Sequence, residues 1–412
     1  MKKWYKVALL NLVVLAVLGL LLRYKINFPL PLMKQENLLH AHSHFAFNGW
    51  ISFLLELLLL NDYTNDYKKS TTFWDRFFIA STIVNYGMII SFAWVGYAGI
   101  SIVISTIALL LSYVFAYKLY KALPKEGHKK VSVQFVKASL FFLVLSSLGP
   151  FALPVITALK APDQYWFHNA LYFFLHFQYN GWFTFAVLSL LIKKLERSAL
   201  YNVKYARIFF RILVVTCIPT YFFTTLWHHR PLFVTIIIIV TATLQFSSLY
   251  FLLKLLYQNT KTVYSNLPAI CRWLYSFAIG AYVLKVMLQF FAVHPQVAQF
   301  AFGFRPVIIG YLHLIFLAFV SMYLLSLMAD KKIISLDYNL TSVGLTIFAA
   351  GVILNEILLA IQGVAAIYNL YLPHLNLLLF INTFTLVTGA ILLFIAVTRP
   401  VTHSKTILKY QL

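Results

Sequence analysis

The chain predicts an all-α, polytopic membrane protein, and three observations carry that prediction. Of its 412 residues 61% are hydrophobic and only 11% are charged, which leaves too little polar surface for a water-soluble domain of this length. Apolar runs of about 20 residues, enough to cross a bilayer as helix, recur from Trp4 to Thr398. Alternating ten-residue strands do not occur in the sequence, so a β-barrel is not expected.

Twelve spans follow in order, at about 4–22, 38–61, 77–96, 98–120, 135–158, 164–192, 206–227, 232–256, 268–293, 306–329, 341–362 and 374–398. They leave no long soluble segment, so 1–412 reads as a single transmembrane domain. Met1–Leu22 has basic residues ahead of its apolar run and no small-residue cleavage site after it, so a retained first helix is expected. Span 2 opens on His40-Ala-His42-Ser-His44 and carries Glu56 near its far end, in Phe53-Leu-Leu-Glu56-Leu-Leu-Leu. Span 6 holds His168, Tyr172 and His176, and span 7 closes on His228-His229 before Arg230-Pro231. Span 8 has Thr235, Thr241, Thr243 and Gln245 but no lysine at mid-depth. Lys285 lies in span 9, which closes on His294. Tyr311 and His313 lie in span 10, Asn355-Glu356 in span 11, and His374 opens span 12.

The formal net charge of +22 does not read as nucleic-acid binding. With the N-terminus inside, the inner loops and tails carry 26 of the 33 Lys and Arg, the outer loops carry six, and Lys285 is within a helix. Such a split is the positive-inside bias, so both termini are expected in the cytoplasm. Cys217 and Cys271 are the only cysteines, so neither a disulfide framework nor a CxxC or CxxCH motif exists. Trp4, Trp74, Trp94, Trp166, Trp227 and Trp273 read as interface-belt residues.

On this topology ten of the twelve histidines fall in the outer third of the membrane; His128 and His403 lie in cytoplasmic segments and read as solvated. Imidazole in a lipid-soluble helix is rare without a task, and the clustering points to a metal, haem or proton site. His40 and His44 are four apart and share a face, while His42 points elsewhere. His168 and His176 stand roughly 12 Å apart along the axis, too far to bind one metal together. His228 and His229 diverge on a regular helix, but at a fraying end beside Pro231 both rings can turn to one ion. His294 and His374, each alone at the interface, read as anchors or caps. A buried carboxylate such as Glu56 or Glu356 suits proton delivery when protonated or paired. Lys285 either neutralises Glu356 or snorkels outward.

Two heptapeptides nearly repeat, His44-Phe-Ala-Phe-Asn-Gly-Trp50 and His176-Phe-Gln-Tyr-Asn-Gly-Trp182, and Tyr311-Leu-His313-Leu-Ile-Phe echoes them. The steps from His44 to His176 and from His176 to His313 are 132 and 137 residues, four spans each. Three parallel four-helix units related by a pseudo-threefold axis are therefore expected, at about 1–121, 135–256 and 268–398. Asn48-Gly49-Trp50 and Asn180-Gly181-Trp182 read as close-packing positions between helices.

This pattern resembles subunit I of the haem–copper oxidase and nitric oxide reductase superfamily, whose twelve helices, cytoplasmic termini and histidines on helices 2, 6, 7 and 10 coincide with those above. It is similar in part to the NnrS family, haem- and copper-containing twelve-helix proteins with histidine-rich helix starts like His40-Ala-His42. The first resemblance implies a low-spin b-type haem between His44 (or His42) and His313, and a copper at His176, His228 and His229. His40 and His168 are further metal candidates. Arg230 and Arg305 would pair with haem propionates or, as interfacial arginines, with lipid phosphate. His168-Asn-Ala-Leu-Tyr172 keeps the spacing at which many oxidases carry a cross-linked tyrosine, so Tyr172 and Glu56 are the catalytic candidates.

The departures are Tyr311, where the family has the axial ligand of its gas-reducing haem, and Asn180, where many oxidases have that tyrosine. The implied function is electron transfer or oxygen or nitric oxide chemistry, with an electron-donor protein or a quinol as partner, further membrane subunits, and a bacterial inner membrane as location. The alternative is a non-catalytic, NnrS-like haem or copper protein of the nitric oxide response. A proton-coupled secondary transporter ranks third, because such proteins show inverted repeats and broken helices at mid-membrane.

Overall fold

The computed structural model describes residues 1–124, 130–159, 164–226, 231–264, 267–336 and 339–398. Among them every regular element is helical. In chain order, leaving aside the short helices Asp66–Lys69, Thr260–Tyr264 and Pro295–Gly303, these are α1 (Lys2–Asn27), α2 (Gln35–Tyr63), α3 (Thr71–Val95), α4 (Gly99–Ala122) and α5 (Val131–Ala158). α6 runs without a break through Gln164–His176, Phe177–Phe183 and Thr184–Leu195, and α7 is Val203–Cys217. α8 (Leu232–Gln258), α9 (Ala269–Phe291), α10 (Arg305–Asp330), α11 (Asn339–Ile367) and α12 (Leu375–Thr398) follow. Ten of them are long and apolar enough to cross a bilayer, and the chain is an integral membrane protein.

α6 and α7 are not among the ten. α6 is diluted by His168, Asn169, His176, Gln178 and Asn180. α7 corrects the expected helix over 206–227: it ends at Cys217, where Pro219 supplies no N–H, and a 3-10 segment, Pro219–Thr225, follows. α5 breaks at Ser147 for the same reason, since Pro150 cannot bond the Ser146 carbonyl and Pro154 lies inside the second part. Two belt tryptophans are also corrected. Trp4 and Trp74 are buried and donate to Asp75 and Asp66, at 2.7 and 2.9 Å, whereas Trp94 and Trp166 are exposed.

Packing closes the helices into a ring. α1 lies on α2 and on α12, α12 on α11, α11 on α10, and the remaining neighbours follow through α9, α8, α7, α5, α4 and α3 back to α2. α2, α6 and α10 also meet one another at the centre, where the rings of Phe47, Phe183 and Phe316 form a triangle with centroids 4.9–6.0 Å apart.

Each central helix contains one π-helical stretch, and the three occupy equivalent places: Ala46–Ser52, Phe177–Phe183 and Leu314–Ser321, starting one or two residues after His44, His176 and His313. Six residues beyond each histidine stands Trp50, Trp182 or Phe319; eight beyond stands Ser52, Thr184 or Ser321. The wide π turn lets a hydroxyl reach five residues back, and both Thr184 Oγ1 and Ser321 Oγ donate to the i−5 carbonyl at 2.6 Å. The indoles then link the helices, Trp50 Nε1 donating to Ser321 Oγ at 2.8 Å and Trp182 Nε1 to Ser52 Oγ at 3.0 Å.

The π turns separate two packing regimes. Beyond them, Phe53–Leu60 of α2, Thr184–Ile192 of α6 and Met322–Ala329 of α10 are buried at every position. Lipid tails are as apolar as leucine, so close packing and buried hydrogen bonds hold these halves together rather than the hydrophobic effect. Before the π turns the helices are looser: α2 buries only Leu38, Ala41 and Phe45 there, and Arg305–His313 of α10 has no buried residue at all.

Candidate functional site

α2 places three histidines within five residues, and helical geometry sends them to two sides. His40 and His44 face α3. His44 stacks on Phe92 at 4.2 Å between centroids, with its Nε2 2.9 Å from the Tyr97 hydroxyl. His40 meets the Tyr97 ring edge-on at 4.5 Å and lies 3.6 Å from Glu36. Burial pushes the Tyr97 phenol up from its ordinary value, so Tyr97 meets His44 as a neutral hydroxyl.

His42 points the other way, onto a stripe of α1 formed by Leu15, Gly19 and Arg23 at i, i+4 and i+8. A Cβ at Gly19 would stand 3.4 Å from His42 Cε1, so the imidazole lies against the glycine. The Leu15 carbonyl lies beside the ring, yet Nδ1 is buried without a hydrogen-bond partner of good geometry. His313, from α10, lies within electrostatic reach of His42, and Arg23 lies within reach of both. His313 Nδ1 is 2.8 Å from the Ile309 carbonyl. A carbonyl only accepts, so Nδ1 carries the proton and Nε2 keeps its lone pair.

Both imidazoles keep intermediate accessible surface, in the loosely packed halves of α2 and α10. His42 and His313, the latter with a backbone-fixed tautomer, are the residues that would hold a haem iron, and the Arg23 guanidinium would meet an acidic substituent.

His176 has no lone pair to offer in this arrangement. Its Nε2 donates to the Cys217 carbonyl at 2.8 Å, and its Nδ1 accepts from Asn180 Nδ2 at 3.1 Å. Asn180 Oδ1 remains buried without a partner, beside a small cavity that Cys217, Gln245 and Lys285 also line. His168 Nδ1 bonds the Gln164 carbonyl at 2.9 Å, and Tyr172 lies next to it with ring centroids 6.4 Å apart. Among the described residues no three of His, Cys, Asp and Glu converge on a metal position. His228, His229 and Arg230 lie outside the described residues.

Tyr311 packs edge-on against Tyr179 at 6.3 Å, with its hydroxyl buried and unpartnered. Arg305 is exposed at the start of α10. Glu56 is buried among leucines of α2, and Glu356 accepts from Asn355 at 3.2 Å. Lys285 makes no ion pair with Glu356 and does not snorkel; it is 4% exposed and turns inward over the Tyr282 ring.

The sequence reading named His42 and His313 as candidates and did not single out Arg23 and Gly19, which lie beside them. An arginine one helical turn beyond a glycine, both within an apolar run, was the signal available. No family model and no curated protein matches the chain.

Proposed function

We propose that this chain binds one b-type haem between His42 and His313 and passes electrons through it, as a divergent member of the haem–copper-oxidase-like bundles. In this reading the twelve helices form three pseudo-threefold units with cytoplasmic termini in a bacterial inner membrane, and a quinol or an electron-donor protein is the partner. The observation that carries the reading is the pair itself: two imidazoles on central helices within electrostatic reach of each other, with Arg23 at hand. The three equivalent π turns and the ring closure between α1 and α12 support the threefold plan.

When bound, a haem with two histidine ligands supplies one-electron transfer at a closed iron. The protein's own residues do the rest. Ile309 orients His313, Gly19 makes room for His42, and Arg23 neutralises a negative substituent. Copper at His176 would require that ring to give up Cys217 or Asn180, so no step is assigned to copper. Tyr311, packed on Tyr179 at the place where the family binds a second haem, favours the non-catalytic, NnrS-like reading over gas reduction.

The test is the optical spectrum of the purified chain, reduced with dithionite and then exposed to carbon monoxide. Sharp reduced bands that carbon monoxide leaves in place support a bis-histidine haem. Bands that shift point to an open iron and gas chemistry, and a colourless protein after haem supplementation refutes the reading.

A further inference from the structure

The end of the bundle remote from the histidines holds a second site. α2, α6 and α10 finish together there, and a cavity of about 260 Å³ opens between their last turns. Six charged side chains line it. Lys194 pairs with Asp330 and Lys331 with Asp62, each at 2.8 Å, and all four are at least three-quarters buried. Lys193 and Arg197 make no ion pair with a carboxylate among the described residues: Lys193 Nζ rests over the Tyr63 ring at 4.3 Å, and Arg197 stands exposed at the mouth. The near neighbour Glu196 is committed to the backbone N–H and hydroxyl of Ser132, at 3.0 and 2.6 Å.

Four cations against two carboxylates leave the cavity two positive charges in excess. The negative ends of three helix dipoles account for cations at this end of the bundle. They do not account for a void of this size between those cations. Like charges gathered around one partly buried space repel one another, and an anion between them relieves that repulsion. Lysine and arginine donors arranged around one space fit the several oxygens of a phosphate.

We infer that the cavity formed by the ends of α2, α6 and α10 binds a phosphate-bearing anion through Lys193 and Arg197. The anion is either the headgroup of an anionic lipid, since the cavity sits where the basic helix ends meet the interface, or a soluble phosphate compound.

The test uses the full chain in neutral detergent, titrated with phosphatidylglycerol against phosphatidylcholine by native mass spectrometry, and separately with pyrophosphate by calorimetry. Lys193→Gln with Arg197→Gln, which leaves both ion pairs intact, is expected to lower affinity for the bound anion about thirtyfold. Lys193→Arg with Arg197→Lys is expected to retain it, which separates loss of charge from misfolding. Selective loss in the lipid arm identifies a lipid headgroup, and selective loss in the pyrophosphate arm identifies a soluble ligand. Changes below about twofold in both arms, or an equal loss on Lys254→Gln with Lys261→Gln at the same end but outside the cavity, overturn the inference.

Discussion

Replacing Ser321 tests whether the indole links between central helices hold the histidines in register. Ser321→Ala removes the acceptor of Trp50 Nε1, which is 1% exposed and has no other partner among the described residues. A buried N–H left without a partner costs about 1–3 kcal/mol. Trp50→Phe is the complementary change: it removes the donor, while Ser321 Oγ keeps its own bond to the Phe316 carbonyl. Its hydrogen-bond share is about 0.5–1.5 kcal/mol, and the smaller ring adds a cavity term. The double variant leaves neither group stranded, so its loss should fall short of the sum of the two single losses by about 0.6–1.7 kcal/mol, from the average to the largest coupling typical of such bonds inside membrane proteins. Reversible unfolding in mixed micelles gives the four free energies. Because α2 and α10 carry His42 and His313, the single variants should also weaken haem retention. Costs that add to within about 0.3 kcal/mol would mean the two side chains are not coupled, and the link would be wrong.

Four further outcomes follow from the packing. Gly181→Ala would put a Cβ 2.4 Å from Phe142 Cβ, forcing α5 and α6 apart at a cost of about 1–3 kcal/mol, while Gly280→Ala, with nothing within 4 Å, should be neutral; thermal unfolding of the pair reads the difference. Lys285→Met removes a buried cation without a carboxylate partner and should raise stability by on the order of 1–3 kcal/mol; a lower midpoint would reveal an anionic partner. His176→Ala strands the Asn180 amide, while the Cys217 carbonyl keeps the Thr220 hydroxyl, so it should destabilise by about 1–3 kcal/mol yet leave haem content unchanged, as read by pyridine haemochrome. Arg23→Gln should lower haem affinity by about tenfold, the worth of one charge-assisted hydrogen bond, with little change in folding.

Much of the scaffold was legible from apolar run lengths. α8 and α12 were expected at 232–256 and 374–398 and lie at Leu232–Gln258 and Leu375–Thr398. α7 was overrun because its apolar run continues past the point where Pro219 ends the α-helical bonding. The repeat of Asn-Gly-Trp signalled helix contacts, and the structure gives them content: Asn11 Nδ2 donates to the Gly49 carbonyl at 2.7 Å, and both indoles bridge to hydroxyls. The π turns were not legible, since a widened turn is imposed by neighbours and leaves no periodic trace in the sequence. Nor was the choice between His42 and His44. Both sit on one helix with similar flanks, and only the positions of Gly19 on one side and Phe92 on the other show that His42 lies against α1 and His44 against α3.

Haem content across three single variants tests the central claim most directly. His42→Ala and His313→Ala should each purify folded and without haem, while His44→Ala, which loses only its Phe92 and Tyr97 contacts, should keep a full complement. Haem lost on His44→Ala and kept on His42→Ala would contradict the account.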